Sequence, residues 1–156
     1  MALNERFFED FTIGQIFASA RRLRVGRDEI VAFAEQFDPQ PFHLDEQSAR
    51  HSIFGGLVAS GWHTAALTMR LVVESEFRSA TGTTGLGFDG LRWPVPVRPG
   101  DELRIESEVL DVRLSKSRPD QGLMKTRILT LNQQRQVVQE LVANELVPRR
   151  PANDRR

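Results

Sequence analysis

The chain of 156 residues contains no cysteine. That absence excludes disulfides, thiolate-bound metal and a cysteine nucleophile. It also lacks net charge, with 21 basic against 21 acidic residues, so no overall field draws it to nucleic acid or to an anionic membrane. No apolar run reaches the roughly 18 residues needed to span a bilayer. The first ten residues carry Glu5, Arg6, Glu9 and Asp10, which interrupt the apolar region a secretory signal requires. The expectation is a cytoplasmic protein that binds neither nucleic acid nor membrane. What is present is ordinary for a folded domain: 40% hydrophobic and 27% charged residues, on a chain long enough to bury roughly 70% of its unfolded surface.

The most informative stretch is Asp38-Pro39-Gln40-Pro41-Phe42-His43-Leu44-Asp45. It sets a carboxylate and an imidazole five residues apart on a segment stiffened by two prolines. Upstream, Ile30, Phe33, Ala34 and Phe37 recur at helical spacing, with Asp28 and Glu29 in the first turn and Gly26 as an acceptable cap. Pro39 disfavours helical geometry at Asp38, so this helix should stop near Phe37. Asp38 then sits at a helix exit. A positioned Asp/His pair can activate a water and handle its proton; the same residues are also compatible with a plain Asp-Pro turn and an ordinary loop histidine.

Asp45 to His51 reads as a short helix capped by Asp45. A longer helix is expected from about Gly56 to Ser75, since no Asp, Glu, Lys or Arg occurs between Arg50 and Arg70; a helix apolar on every side belongs in the interior. Gly55-Gly56 at its start would let a ligand approach unpaired N–H groups, which could stabilise charge on a carbonyl oxygen. Ser60 and Thr64 could supply hydroxyls, although small residues on a buried helix also serve close packing.

The rest reads as strands. Ile16 to Val25 is a strand with an irregularity near Arg21-Arg22; Gly82 to Gly87 is expected to be a loop. Asp89, Leu91 and Trp93 share a strand face ending at Pro94, and Pro99-Gly100 has type II turn residues. Leu103, Ile105, Ser107 and Val109 alternate before the parity shifts to Val112 and Leu114, which predicts a bulge. Leu123–Leu131 and Val137–Val147 complete the set. Helices grouped ahead of antiparallel strands indicate an α+β class, with a sheet curled around one helix and edges that invite dimerisation. Residues 1–147 are expected to form a single domain and 148–156 a flexible tail.

Other signals point nowhere specific. His51 and His63 have no metal-binding spacing with His43. Gly82-Thr83-Thr84-Gly85-Leu86-Gly87 lacks the lysine of a P-loop, and there is no Gly-x-Ser-x-Gly. Arg21, Arg22 and Arg24 form a local basic patch that solvated strand charges explain.

Taken together, the Asp38–Asp45 motif, Gly55-Gly56-Leu57, and Pro94-Val95 followed by Pro99-Gly100-Asp101 resemble the MaoC-like dehydratase family, which includes (R)-specific enoyl-CoA hydratases. The resemblance spans about Phe11 to Val147. It implies a hot-dog fold, a homodimer or higher homo-oligomer, and reversible hydration of an enoyl-CoA thioester by Asp38 and His43. It implies no metal or redox cofactor, coenzyme A entering only as part of the substrate. Gly56 matches the glycine expected to hold the thioester oxygen, and Thr64 falls where hydratases carry serine. Three positions depart from the pattern: Gln40 replaces asparagine, Phe37 stands where glycine is common, and Gly55 replaces histidine. Phe42 and Trp62 are candidates to shorten or redirect the acyl pocket. The same fold also hosts thioesterases, and a non-catalytic acyl-thioester-binding subunit would share the motif.

Overall fold

The computed structural model describes residues 5–154. A short N-terminal turn leads to β1 (Ile16–Ala18) and β2 (Leu23–Arg24), followed by α1 (Arg27–Phe37), the single-turn α2 (Pro41–Leu44), α3 (Glu46–Arg50) and α4 (Gly61–Val73). Four longer strands follow: β3 (Thr84–Arg92), β4 (Glu102–Leu114), β5 (Gln121–Leu131) and β6 (Val137–Pro148). The sheet is antiparallel in the order β1-β4-β5-β6-β3, with β2 also paired to β4. The long strands β4 to β6 alternate buried and exposed residues, so one face is committed to the core. Thr68 of α4 meets Thr130 of β5 on that face. This is the hot-dog arrangement, an α+β sheet wrapped on a central helix.

Most boundaries follow from local chemistry. Pro39 ends α1 at Phe37, leaving Asp38 as its C-cap in a non-helical conformation. Asp45 caps α3 by accepting from the Ser48 N–H at 2.8 Å. Gly100 has φ of +90°, as the turn between Pro99 and Asp101 requires. The parity shift in β4 is a register break between Val109 and Asp111. The expected first strand is divided into β1 and β2, separated at Arg21-Arg22.

Four expectations are corrected. The central helix begins at Gly61, not Gly56. Leu57 to Ala59 are buried but not helical, because Val58 N–H bonds to the Phe42 carbonyl and Ala59 N–H to the Val97 carbonyl; Ser60 then caps the helix. Nor is α4 buried on every side. His63, Thr64, Thr68, Leu71 and Val72 face inward, while Trp62, Met69 and Val73 are about half exposed on this chain. The Gly82–Gly87 loop is shorter than expected, since Thr84 to Gly87 already pair with β6 across an irregularity. The tail from residue 148 starts as an anchored segment: Pro148 belongs to β6, and Arg149 and Arg150 pair with Glu9 and Asp10 at 3.0 and 2.8 Å. The core is a single cluster, with Phe11, Phe17 and Phe77 packed ring to ring at 5.4–6.1 Å.

Candidate active site

The end of α1, the turn α2 and the start of α4 converge on Asp38 and His43. His43 Nε2 lies 3.3 Å from Asp38 Oδ2. The other ring nitrogen, Nδ1, is 2.6 Å from the Val58 carbonyl. A carbonyl only accepts, so Nδ1 carries a proton, and the exchangeable position is Nε2, facing the carboxylate. The non-helical backbone at Leu57–Ala59 is what delivers that carbonyl. His43 is buried and its edge meets the Phe42 ring at 4.7 Å.

Asp38 is held from three directions. Ser60 Oγ donates to Oδ2 at 2.7 Å and Gln40 Nε2 donates to Oδ1 at 2.7 Å. Burial pushes the carboxyl up and is the largest single influence, but the donors from Ser60 and Gln40 and the neighbouring His43 together outweigh it, leaving Asp38 below its usual range. Burial alone would have raised it. The hydrogen bonds reverse the sign. Gln40, a departure from the asparagine pattern, therefore contributes directly to the charge state of the pair.

Beside the pair lies a cavity of about 450 Å³. Asp38, His43, Phe42, Trp62 and Thr64 line it, all five among the residues singled out from the sequence, together with Gly61, Phe54, Trp93 and Val138. Ser60 is fully buried and acts on the site through Asp38. Gly55 and Gly56 do not line this cavity. Gly55 has φ of +66° in the turn after α3, and Gly56 is packed between Arg98 and Glu46, where an added Cβ would be 3.3–3.4 Å from their side chains. The glycine at the helix start and in the cavity is Gly61, whose N–H is among the orphan donors of the first turn. The helix start expected near Gly56 thus lies five residues later, and Thr64, matched to a serine by counting from Gly56, lines the cavity. Ser60, a favoured cap immediately ahead of glycine, was the available signal. Trp93 and Phe54 were missed because nothing in their local sequence points to the motif.

His63 stacks on Phe33 at 4.7 Å within the α1–α4 packing, and burial pulls it below the usual histidine range, against a smaller upward pull from Glu29. Among the described residues there is no cluster of three or more metal-ligating side chains, and no helix is long and apolar enough to cross a membrane.

Comparison with known proteins agrees with the fold. The chain is similar to the MaoC-like dehydratase of Rhodospirillum rubrum, at 55% identity and a TM-score of 0.89, covering 94% of this chain and 99% of that one. It is 36% identical over 141 residues to an uncharacterised protein of Bacillus subtilis, covering 90% of this chain and 98% of the relative. It is 29% identical to a 3-hydroxybutyryl-CoA dehydratase of Methylorubrum extorquens, covering 68% of this chain and 65% of the relative. The family model described as the MaoC like domain matches residues 9–130, and the chain belongs to that family.

Proposed function

We propose that the protein catalyses reversible hydration of a trans-2-enoyl-CoA to a 3-hydroxyacyl-CoA. The observation that carries this reading is the Asp38–His43 pair, 3.3 Å apart at the wall of a predominantly apolar cavity. In the forward direction a water is held between the carboxylate and Nε2. The pair takes its proton as the oxygen bonds to C3, and the C2–C3 π electrons move toward the thioester oxygen. The Gly61 N–H, aided by the positive end of α4, stabilises that oxygen. The pair then returns a proton to C2, so the sum is addition of H and OH across the double bond. Because the two groups are coupled, their protonation belongs to the pair. The step uses no metal or redox group, and the molecule in the name of the related Methylorubrum enzyme, 3-hydroxybutyryl-CoA, is of the same class as the hydration product here.

The protein acts in the cytoplasm as a homodimer. In support, β3 is a sheet edge exposed at all but one residue, with Leu86 and Phe88 on it, and Trp62, Met69 and Val73 of α4 are also uncovered in the single chain. A second copy would cover such a surface. The experiment is a panel of trans-2-enoyl-CoA substrates with product analysis. A 3-hydroxyacyl-CoA product supports the reading; free coenzyme A would instead indicate a thioesterase, and ligand binding without either product a non-catalytic binding subunit.

A further inference from the structure

We propose that Trp93, tethered by Gln139, sets the length of acyl group that the cavity accepts and restricts it to short chains. The inference rests on the acyl-thioester reading above. It begins with a polar side chain in the core: Gln139 of β6 is fully buried, and a buried amide must find partners. Its Nε2 donates to Thr68 Oγ1 at 3.2 Å and its Oε1 accepts from the Trp93 indole Nε1–H at 2.8 Å. Thr68 Oγ1 also donates to the Thr64 carbonyl at 2.8 Å and lies 2.6 Å from Thr130 Oγ1. A hydroxyl has one proton. With that proton on the Thr64 carbonyl, Thr68 accepts from both Thr130 and Gln139. The amide is thereby oriented, with its carbonyl toward Trp93.

The indole is fixed on two further sides. An ideal Cβ built on Gly61 would be 2.5–2.8 Å from Trp93 Cε2, Cδ2 and Cζ2, so the ring lies against the backbone where α4 begins. Trp62 meets it edge-on, with centroids 5.4 Å apart. Trp93 is nonetheless 41% exposed, so burial does not immobilise it; the bond to Gln139 does. Rotating the ring away would strand a buried amide carbonyl. A thioester whose oxygen sits at Gly61 places its acyl chain beside this ring, and every added methylene must then displace a side chain that the core holds in place. Neither Trp93 nor Gln139 hydrogen-bonds to Asp38 or His43, so their effect falls on acyl length rather than on the proton steps.

The test measures binding and turnover separately. Calorimetric titration with butyryl-CoA and octanoyl-CoA, on wild type and on Trp93→Leu, gives the binding preference without any reaction. Wild type is expected to favour butyryl-CoA by about tenfold or more, and Trp93→Leu to reduce that preference by about tenfold, the scale on which apolar pockets sort methylenes. Gln139→Met, which keeps the ring and removes its acceptor, should reduce it by a smaller factor. Trp93→Phe, short of the tether, replaces Trp93→Leu if the latter does not fold. Equal binding of the two ligands by wild type, or an unchanged ratio in the Trp93 variant, overturns the proposal. Turnover of matched enoyl-CoAs separates the two readings. Absence of hydration alongside a shifting binding ratio defeats the hydratase assignment alone; hydration with an invariant ratio defeats the length gate alone.

Discussion

Replacing Ser60 by alanine removes one hydroxyl that performs two tasks. Its Oγ donates to Asp38 Oδ2 at 2.7 Å and accepts from the Trp62 N–H at 3.3 Å, capping α4. Loss of a helix cap costs about 1 kcal/mol, and loss of a hydrogen bond to a charged group about 1.5–3 kcal/mol. Ser60 is fully buried, so water does not readily replace it. The sum is about 3 kcal/mol, a fall in Tm of roughly 6–12 °C for a chain of this size. A cycle with Asp38→Asn separates the two contributions, since the cap survives in the aspartate variant and the charge-assisted bond does not. The charge state should change as well. Asp38 lies below its ordinary value of 3.8 partly because Ser60 donates to it. A depressed carboxyl stabilises the fold above its unfolded value and loses that contribution as pH falls through the folded value. In Ser60→Ala the folded value rises, so both the acid loss of stability and the acidic limb of the pH–rate profile should move to higher pH. Thermal melts from pH 3 to 7 and kcat/KM against pH report these effects. A variant whose melting temperature and acidic limb both match wild type would refute the reasoning.

Gly61→Ala should lower stability by about 1–3 kcal/mol through overpacking against Trp93, and Trp93→Leu in the same chain should recover part of it, as denaturant titration would show. Glu145 has a buried Oε2 without a partner, and burial raises its carboxyl despite a bond from Thr83. Its charged form is therefore disfavoured by folding, and stability falls as pH rises from its ordinary value of 4.5 through the folded value. Glu145→Gln should melt higher than wild type at pH 7 and lose that part of the slope; equal melting at pH 7 would contradict it. Phe88→Arg on the exposed edge strand should shift the protein from dimer to monomer in sedimentation velocity.

Where the chain's own chemistry decides a boundary, the sequence was a sufficient guide. Pro39 stops α1 and frees Asp38, Asp45 caps α3, and the parity change after Val109 marks a real break in register. Leu57 to Ala59 misled because an unbroken apolar run has no period that separates a buried strand from a buried helix. Their non-helical form is set by the carbonyls of Phe42 and Val97, which only the folded chain brings near. The same shift moved the helix start from Gly56 to Gly61. Asp38 and His43 were legible because five residues and two prolines hold them together locally. Trp93 and Gln139 are 46 residues apart and joined by a core hydrogen bond, so no local pattern could pair them.

The central claim is that Asp38 and His43 together activate water. The measurement that tests it most directly is hydration of crotonyl-CoA, followed by loss of the enoyl absorbance, in wild type, Asp38→Asn and His43→Gln. General acid–base groups contribute about 10²–10⁴-fold. The account predicts turnover by wild type and a fall of that order in each variant, with both proteins still folded. Full activity in both variants would contradict it.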